Sequence, residues 1–138
     1  MFNNHLNFLY EKIYLISFFT TFAGTLLPWI TLNDTVKTVR VSGIQIIYGI
    51  PVVISLILSI IIFIFMRNKN KLVSLVNIIC GLTSFIAVVI SMLGYRLIVL
   101  DPLAGLFIHY GAGIYIALIG SLGIFASGIL GLIQQRKE

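Results

Sequence analysis

The chain has 138 residues, of which 59% are hydrophobic and only 9% charged, and its net charge is +5. A soluble domain usually carries about 25% charged residues, so this composition argues against a water-soluble fold and leaves no room for one beside the apolar segments. The positive balance does not point to nucleic acid, because most of the basic residues flank apolar segments, where they set orientation in a membrane.

Residues 1–12 (MFNNHLNFLYEK) place Phe2, Leu6 and Leu9 or Tyr10 at helical spacing, which predicts a short interfacial helix. A first span follows over residues 13–30. Thr21 and Ala23 weakly imitate a signal-peptide cleavage site, but the apolar run continues past them to Leu27, so the segment is expected to stay attached. Pro28 and Trp29 close the span, and a tryptophan there is a usual interface anchor. The polar stretch that follows, residues 31–45, forms the first outer loop. Residues 29–32 and 36–41 are rich in β-branched side chains, and Asn33-Asp34-Thr35 between them has turn chemistry, so a hairpin is predicted. Lys37 and Arg40 are its cations.

The second span covers residues 46–66, with Pro51 near its start, where proline is tolerated. Arg67, Lys69 and Lys71 make a short basic connection, which forces spans two and three to be antiparallel neighbours. In the third span, residues 72–94, Asn77, Gly81, Ser84, Ala87 and Ser91 recur every three or four positions on one face. Asn77 is the one amide in the middle of a span and needs a partner across a helix interface. Residues 95–111 form the second outer loop. There, Arg96 to Leu100 read as a third strand, stopped by Asp101-Pro102.

The fourth span, residues 112–133, carries the densest pattern. Gly113, Ala117 and Ser121 fall four apart, as do Gly123, Ser127 and Gly131, with Gly120 and Gly128 between them. This predicts a smooth stripe along one side of a helix, the surface that lets helix backbones approach closely in lipid. Such a stripe serves packing within one chain or an interface with another subunit, and the first is the simpler expectation.

Residues that could carry chemistry are few. No Asp, Glu, Lys, Arg or His falls in the middle of a span, whereas proton-coupled transporters keep ionisable groups there. The two histidines, His5 and His109, fall on opposite sides of the predicted membrane and cannot share a metal. Cys80 is alone, so no intramolecular disulfide forms. No nucleophile–base pair, paired carboxylates or phosphate-binding loop is present. Neither a catalytic site nor a cofactor is expected, and Asp101 reads as a turn residue or a partner for Arg96.

Leu27-Pro28-Trp29 and Gly111-Ala112-Gly113-Ile114-Tyr115 resemble the motifs of a group of small prokaryotic four-span membrane proteins. These show Leu-Pro-Trp where the first span ends, and Gly-x-Gly-x-aromatic opening a glycine-rich fourth span. The resemblance implies a β-rich outer loop and a basic tail. More remotely, the layout resembles the claudin type, which implies an outer sheet fed by both outer loops. Claudins carry a disulfide in the first outer loop, and this loop has no cysteine.

The expected fold is therefore an all-α membrane protein: a four-helix transmembrane bundle with a small extracellular β-hairpin or sheet, forming one domain over residues 1–138. Lys12, Arg67, Lys69, Lys71, Arg136 and Lys137 gather on one side and only Lys37, Arg40 and Arg96 on the other. The positive-inside rule then puts the protein in the cell membrane as a multi-pass chain with both termini cytoplasmic. Its expected partners are the lipid bilayer and either further copies of itself or a larger membrane complex. The expected role is that of a non-enzymatic structural, accessory or scaffold subunit. A small oligomeric channel lined by Asn77, Ser84 and Ser91, or a membrane immunity protein, is the alternative.

Overall fold

The computed structural model describes residues 2–33, 38–45, 47–65, 70–98 and 108–136. Helix α1 (Phe2–Leu26) leads into strands β1 (Pro28–Asn33) and β2 (Thr38–Ser42). A short 3-10 turn at Gly43–Gln45 then precedes α2 (Gly49–Phe65) and α3 (Asn70–Ile98). Strand β3 (Ile108–Tyr110) and α4 (Ala112–Arg136) complete the chain. Lys71–Gly94 and Ala112–Arg136 are long and apolar enough to cross a membrane, and Gly49–Phe65 is a shorter apolar helix.

The first helix and the third strand differ from the sequence expectation. The first helix is continuous from Phe2, so the polar start is not a separate interfacial helix; no glycine or proline interrupts it before Gly24. It ends at Leu26, not at residue 30, because Pro28 has no N–H to continue the ladder and disfavours helical geometry at Leu27. The third strand is not at Arg96–Leu100. Arg96 to Ile98 form the last turn of α3, and Val99, Leu100 and Asp101 lie outside the described residues. A run of β-branched residues is a weak strand signal when it continues an intact helix. The third strand comes instead from Ile108-His109-Tyr110.

The sheet has the order β2-β1-β3 and is antiparallel throughout. On one side β1 pairs with β2 through Ile30↔Val41 and Thr31↔Arg40. On the other it pairs with β3 through Thr31↔His109. The register shifts between Pro28 and Ile30, so Trp29 is an extra residue on β1. Successive strand residues normally point to opposite faces, and a bulge re-aims one of them. Here the result is that both Trp29 and Ile30 are buried. The Trp29 indole is fully enclosed by protein and not presented to an interface. Its Nε1–H donates to the Gly24 carbonyl at 2.8 Å, and Gly43 leaves the room it occupies, since a Cβ there would overlap the ring.

Among the helices, α4 packs most extensively against α1 and α3, while α2 leans mainly on α3. Gly24 meets Ala117 near the sheet and Tyr10 meets Gly131 at the far end, so α1 and α4 run antiparallel. The apolar core runs from Trp29 and Ile30 through Val52, Leu56, Val88 and Ile114 to Tyr14 and Ile124.

Candidate functional site

At the end away from the sheet, an uncharged polar chain crosses the core. The Tyr14 hydroxyl and Ser59 Oγ are 2.7 Å apart. Ser59 Oγ donates to Asn77 Oδ1 at 3.0 Å, which leaves its lone pairs to accept from Tyr14. The Asn77 amide Nδ2 donates in turn to the Tyr10 hydroxyl at 3.0 Å. Tyr10 also interacts with Ser74, and Gln135 Nε2 reaches Ser74 Oγ at 3.4 Å. One connected chain thus takes Tyr10 and Tyr14 from α1, Ser59 from α2, Ser74 and Asn77 from α3, and Gln135 from α4.

Local sequence explains this placement. Tyr10 and Tyr14 are one helical turn apart, as are Ser74 and Asn77, so each pair shares a face. Val52, Ser55, Leu56 and Ser59 form the buried stripe of α2. Asn77 is fully buried, and an amide so placed costs about 1–3 kcal/mol if left unpaired. Its two hydrogen bonds remove that cost. The Tyr14 ring is fixed by stacking on Phe63 with centroids 4.5 Å apart. Asn77 follows from the need of a mid-helix amide for a partner. Tyr10, Tyr14, Ser59, Ser74 and Gln135 do not stand out in the sequence, although the spacing of the Tyr10/Tyr14, Ser55/Ser59 and Ser74/Asn77 pairs carries a signal for most of them.

Ser84 and Ser91 continue the Asn77 face of α3 at seven-residue intervals. Both are buried, and neither hydroxyl has a hydrogen-bond partner among the described residues. Ser121 and Ser127 are also buried, but their hydroxyls donate to the Leu118 and Ile124 carbonyls of their own helix.

The small residues of α4 do not lie along one side only. Toward α1, a Cβ on Gly120 would stand 2.9 Å from Thr21 Cα, and one on Gly24 2.8 Å from Ala117 Cα. Gly113 and Gly123 face Gly24 and Ser17 on the same helix. Toward α3, Gly128 meets Ile78, Gly131 meets Ser74, and Gly81 of α3 meets the Phe125 backbone. The stripe therefore divides between two neighbours. Of the outer-loop residues, Arg40 is exposed on the edge strand β2. Arg96 falls in the last turn of α3, and Lys37 and Asp101 lie outside the described residues.

Chemically, the chain consists of hydroxyls and amides. A tyrosine hydroxyl titrates near pH 10 in water and a serine hydroxyl higher still, so no member is a general acid or base poised near neutrality. No group of three or more His, Cys, Asp or Glu side chains comes together among the described residues. What the arrangement can do is brace four helices and hold their register, since slipping any helix would strand a buried donor or acceptor. Comparison with known family models, curated proteins and solved structures gives no match.

Proposed function

We propose that the chain is an integral membrane protein, a four-span bundle with both termini cytoplasmic and the sheet outside, acting as a structural or accessory subunit. The observation that carries this reading is inverted polarity. Among the described residues the buried polar side chains are Ser, Thr and Asn, whereas Ile16, Phe19, Ile54, Ile79 and Ile119 are each about 60% exposed. Large exposed apolar faces on all four helices are unfavourable in water and suited to hydrocarbon. The 25 residues of α1 and of α4 give lengths of roughly 37 Å, and the 17 of α2 roughly 25 Å, around the 30 Å of a bilayer core.

A supporting role fits the interior better than transport does. The buried side chains include no charged group among the described residues, and coupled transport normally requires one. Asn77, Ser84 and Ser91 point into the protomer, so they give no polar lining to a pore between copies. With the small residues of α4 taken up by α1 and α3, the edge strand β2 with Arg40 is the surface offered to a partner.

The test uses the full chain with Cys80→Ser and a single new cysteine. An impermeant maleimide added to intact cells should label Arg40→Cys, and should label Arg136→Cys only after permeabilisation. Release of the protein by alkaline carbonate, or the reverse labelling pattern, would refute the topology. Crosslinking in native membranes that traps only monomers would refute the subunit role.

A further inference from the structure

At the end of the molecule opposite the sheet, a groove of about 530 Å³ opens between the start of α3 and the end of α4. Its wall is apolar, formed by Leu75, Ile129, Leu132 and Ile133. Lys71 and Arg136 also line it, and no acidic residue does among the described residues. Both cations are exposed. Gln135 lines the same groove and reaches Ser74, so the groove adjoins the buried polar chain.

We propose that this groove is a binding site for one anionic phospholipid, with its phosphate between Lys71 and Arg136 and an acyl chain along the apolar wall. The inference rests on the membrane reading above. Two cations beside an apolar wall complement a molecule that is anionic at one end and hydrocarbon at the other. A free anion would use only the cations, and a zwitterionic lipid would gain little from them. Long basic side chains at helix ends extend their charged groups to the headgroup level while their stems cover apolar surface. The groove is therefore matched along its length to one class of ligand. Each cation near a membrane surface is worth about a fivefold factor in affinity for an anionic lipid.

The experiment compares lipids of identical chains, phosphatidylglycerol and phosphatidylcholine, retained by the full-length protein in native mass spectrometry from mixed nanodiscs. Wild type should retain phosphatidylglycerol at least tenfold better, and Lys71→Gln with Arg136→Gln together should reduce that preference to near unity. Leu132→Trp, which fills the wall, should reduce retention of phosphatidylglycerol without altering the unfolding temperature in phosphatidylcholine alone. Equal retention of both lipids by wild type would overturn the site while leaving the membrane reading intact. Displacement of the lipid by millimolar inorganic phosphate would overturn the lipid as the ligand. Failure of the protein to incorporate into nanodiscs would instead overturn the membrane reading beneath it.

Discussion

Helix α4 and helix α2 are held in place by different physics. The neighbours of α4 approach it to backbone distance: Gly120 against Thr21, Gly24 against Ala117, and Gly81 against Phe125. Nothing larger fits, and the many short contacts sum to a large dispersion attraction. By contrast, α2 has one glycine, at its first position, and buries only Val52, Ser55, Leu56 and Ser59 beyond it. It is tied in by side chains, most specifically by the hydrogen bonds that Ser59 makes to Tyr14 and Asn77. Dispersion contacts summed over a backbone fail all at once when a methyl group is inserted. A hydrogen-bonded tie fails one bond at a time.

Substitutions separate the two modes, and thermal unfolding in nanodiscs reads them all. The largest effect is expected for Gly120→Leu or Gly81→Leu, about 3 kcal/mol or more, because the atoms in the way are backbone and cannot swing aside. A stable Gly120→Leu would break the claim that α4 is held by close approach. Asn77→Ala comes next, at about 1–2 kcal/mol, since it removes two buried bonds and takes one partner each from Ser59 and Tyr10. Ser59→Ala should cost about 1 kcal/mol and loosen α2 alone, which faster hydrogen exchange confined to Gly49–Phe65 would reveal. Smallest are Ser84→Ala and Ser91→Ala, expected within about 0.5 kcal/mol of wild type or slightly stabilising, because these hydroxyls have no partner to lose among the described residues. A loss of 2 kcal/mol there would mean that the buried polar chain continues along α3.

Four helices and a hairpin are legible in the sequence because long apolar runs and a β-branched pair around turn residues are local signals. Residues 108–110 are not, since three residues carry almost no pattern and their pairing partner lies on the far side of two helices. The bulge at Trp29 is equally silent. Leu-Pro-Trp marks where α1 stops, but only the register against Val41 and Ser42 turns the indole inward. In α4 the spacing of small residues announces close contact without saying how many neighbours share it. Gly120 and Gly128 sit eight residues apart, and that interval rotates one toward α1 and the other toward α3. For the polar chain, Asn77 announces itself as a buried amide. Ser59 is hidden in the most apolar helix, where a lone hydroxyl looks incidental.

The order of strands in the sheet also sets a timetable. Strand β1 is central, yet its partner residue for Thr31 is His109, made roughly 80 residues later, a delay of several seconds at about 5–20 residues per second. Until then β1 has only β2 beside it, and a two-stranded hairpin is marginal by itself. The sheet is completed last, by a segment that leads through Gly111 directly into α4; the Gly111 amide donates to the Trp29 carbonyl at 2.7 Å. Closure of the sheet and arrival of the final helix are therefore one event. A chain stalled before Tyr110 would keep an open strand edge on β1 and leave the glycine-contacting faces of α1 and α3 uncovered, two recognisable marks of an unfinished molecule.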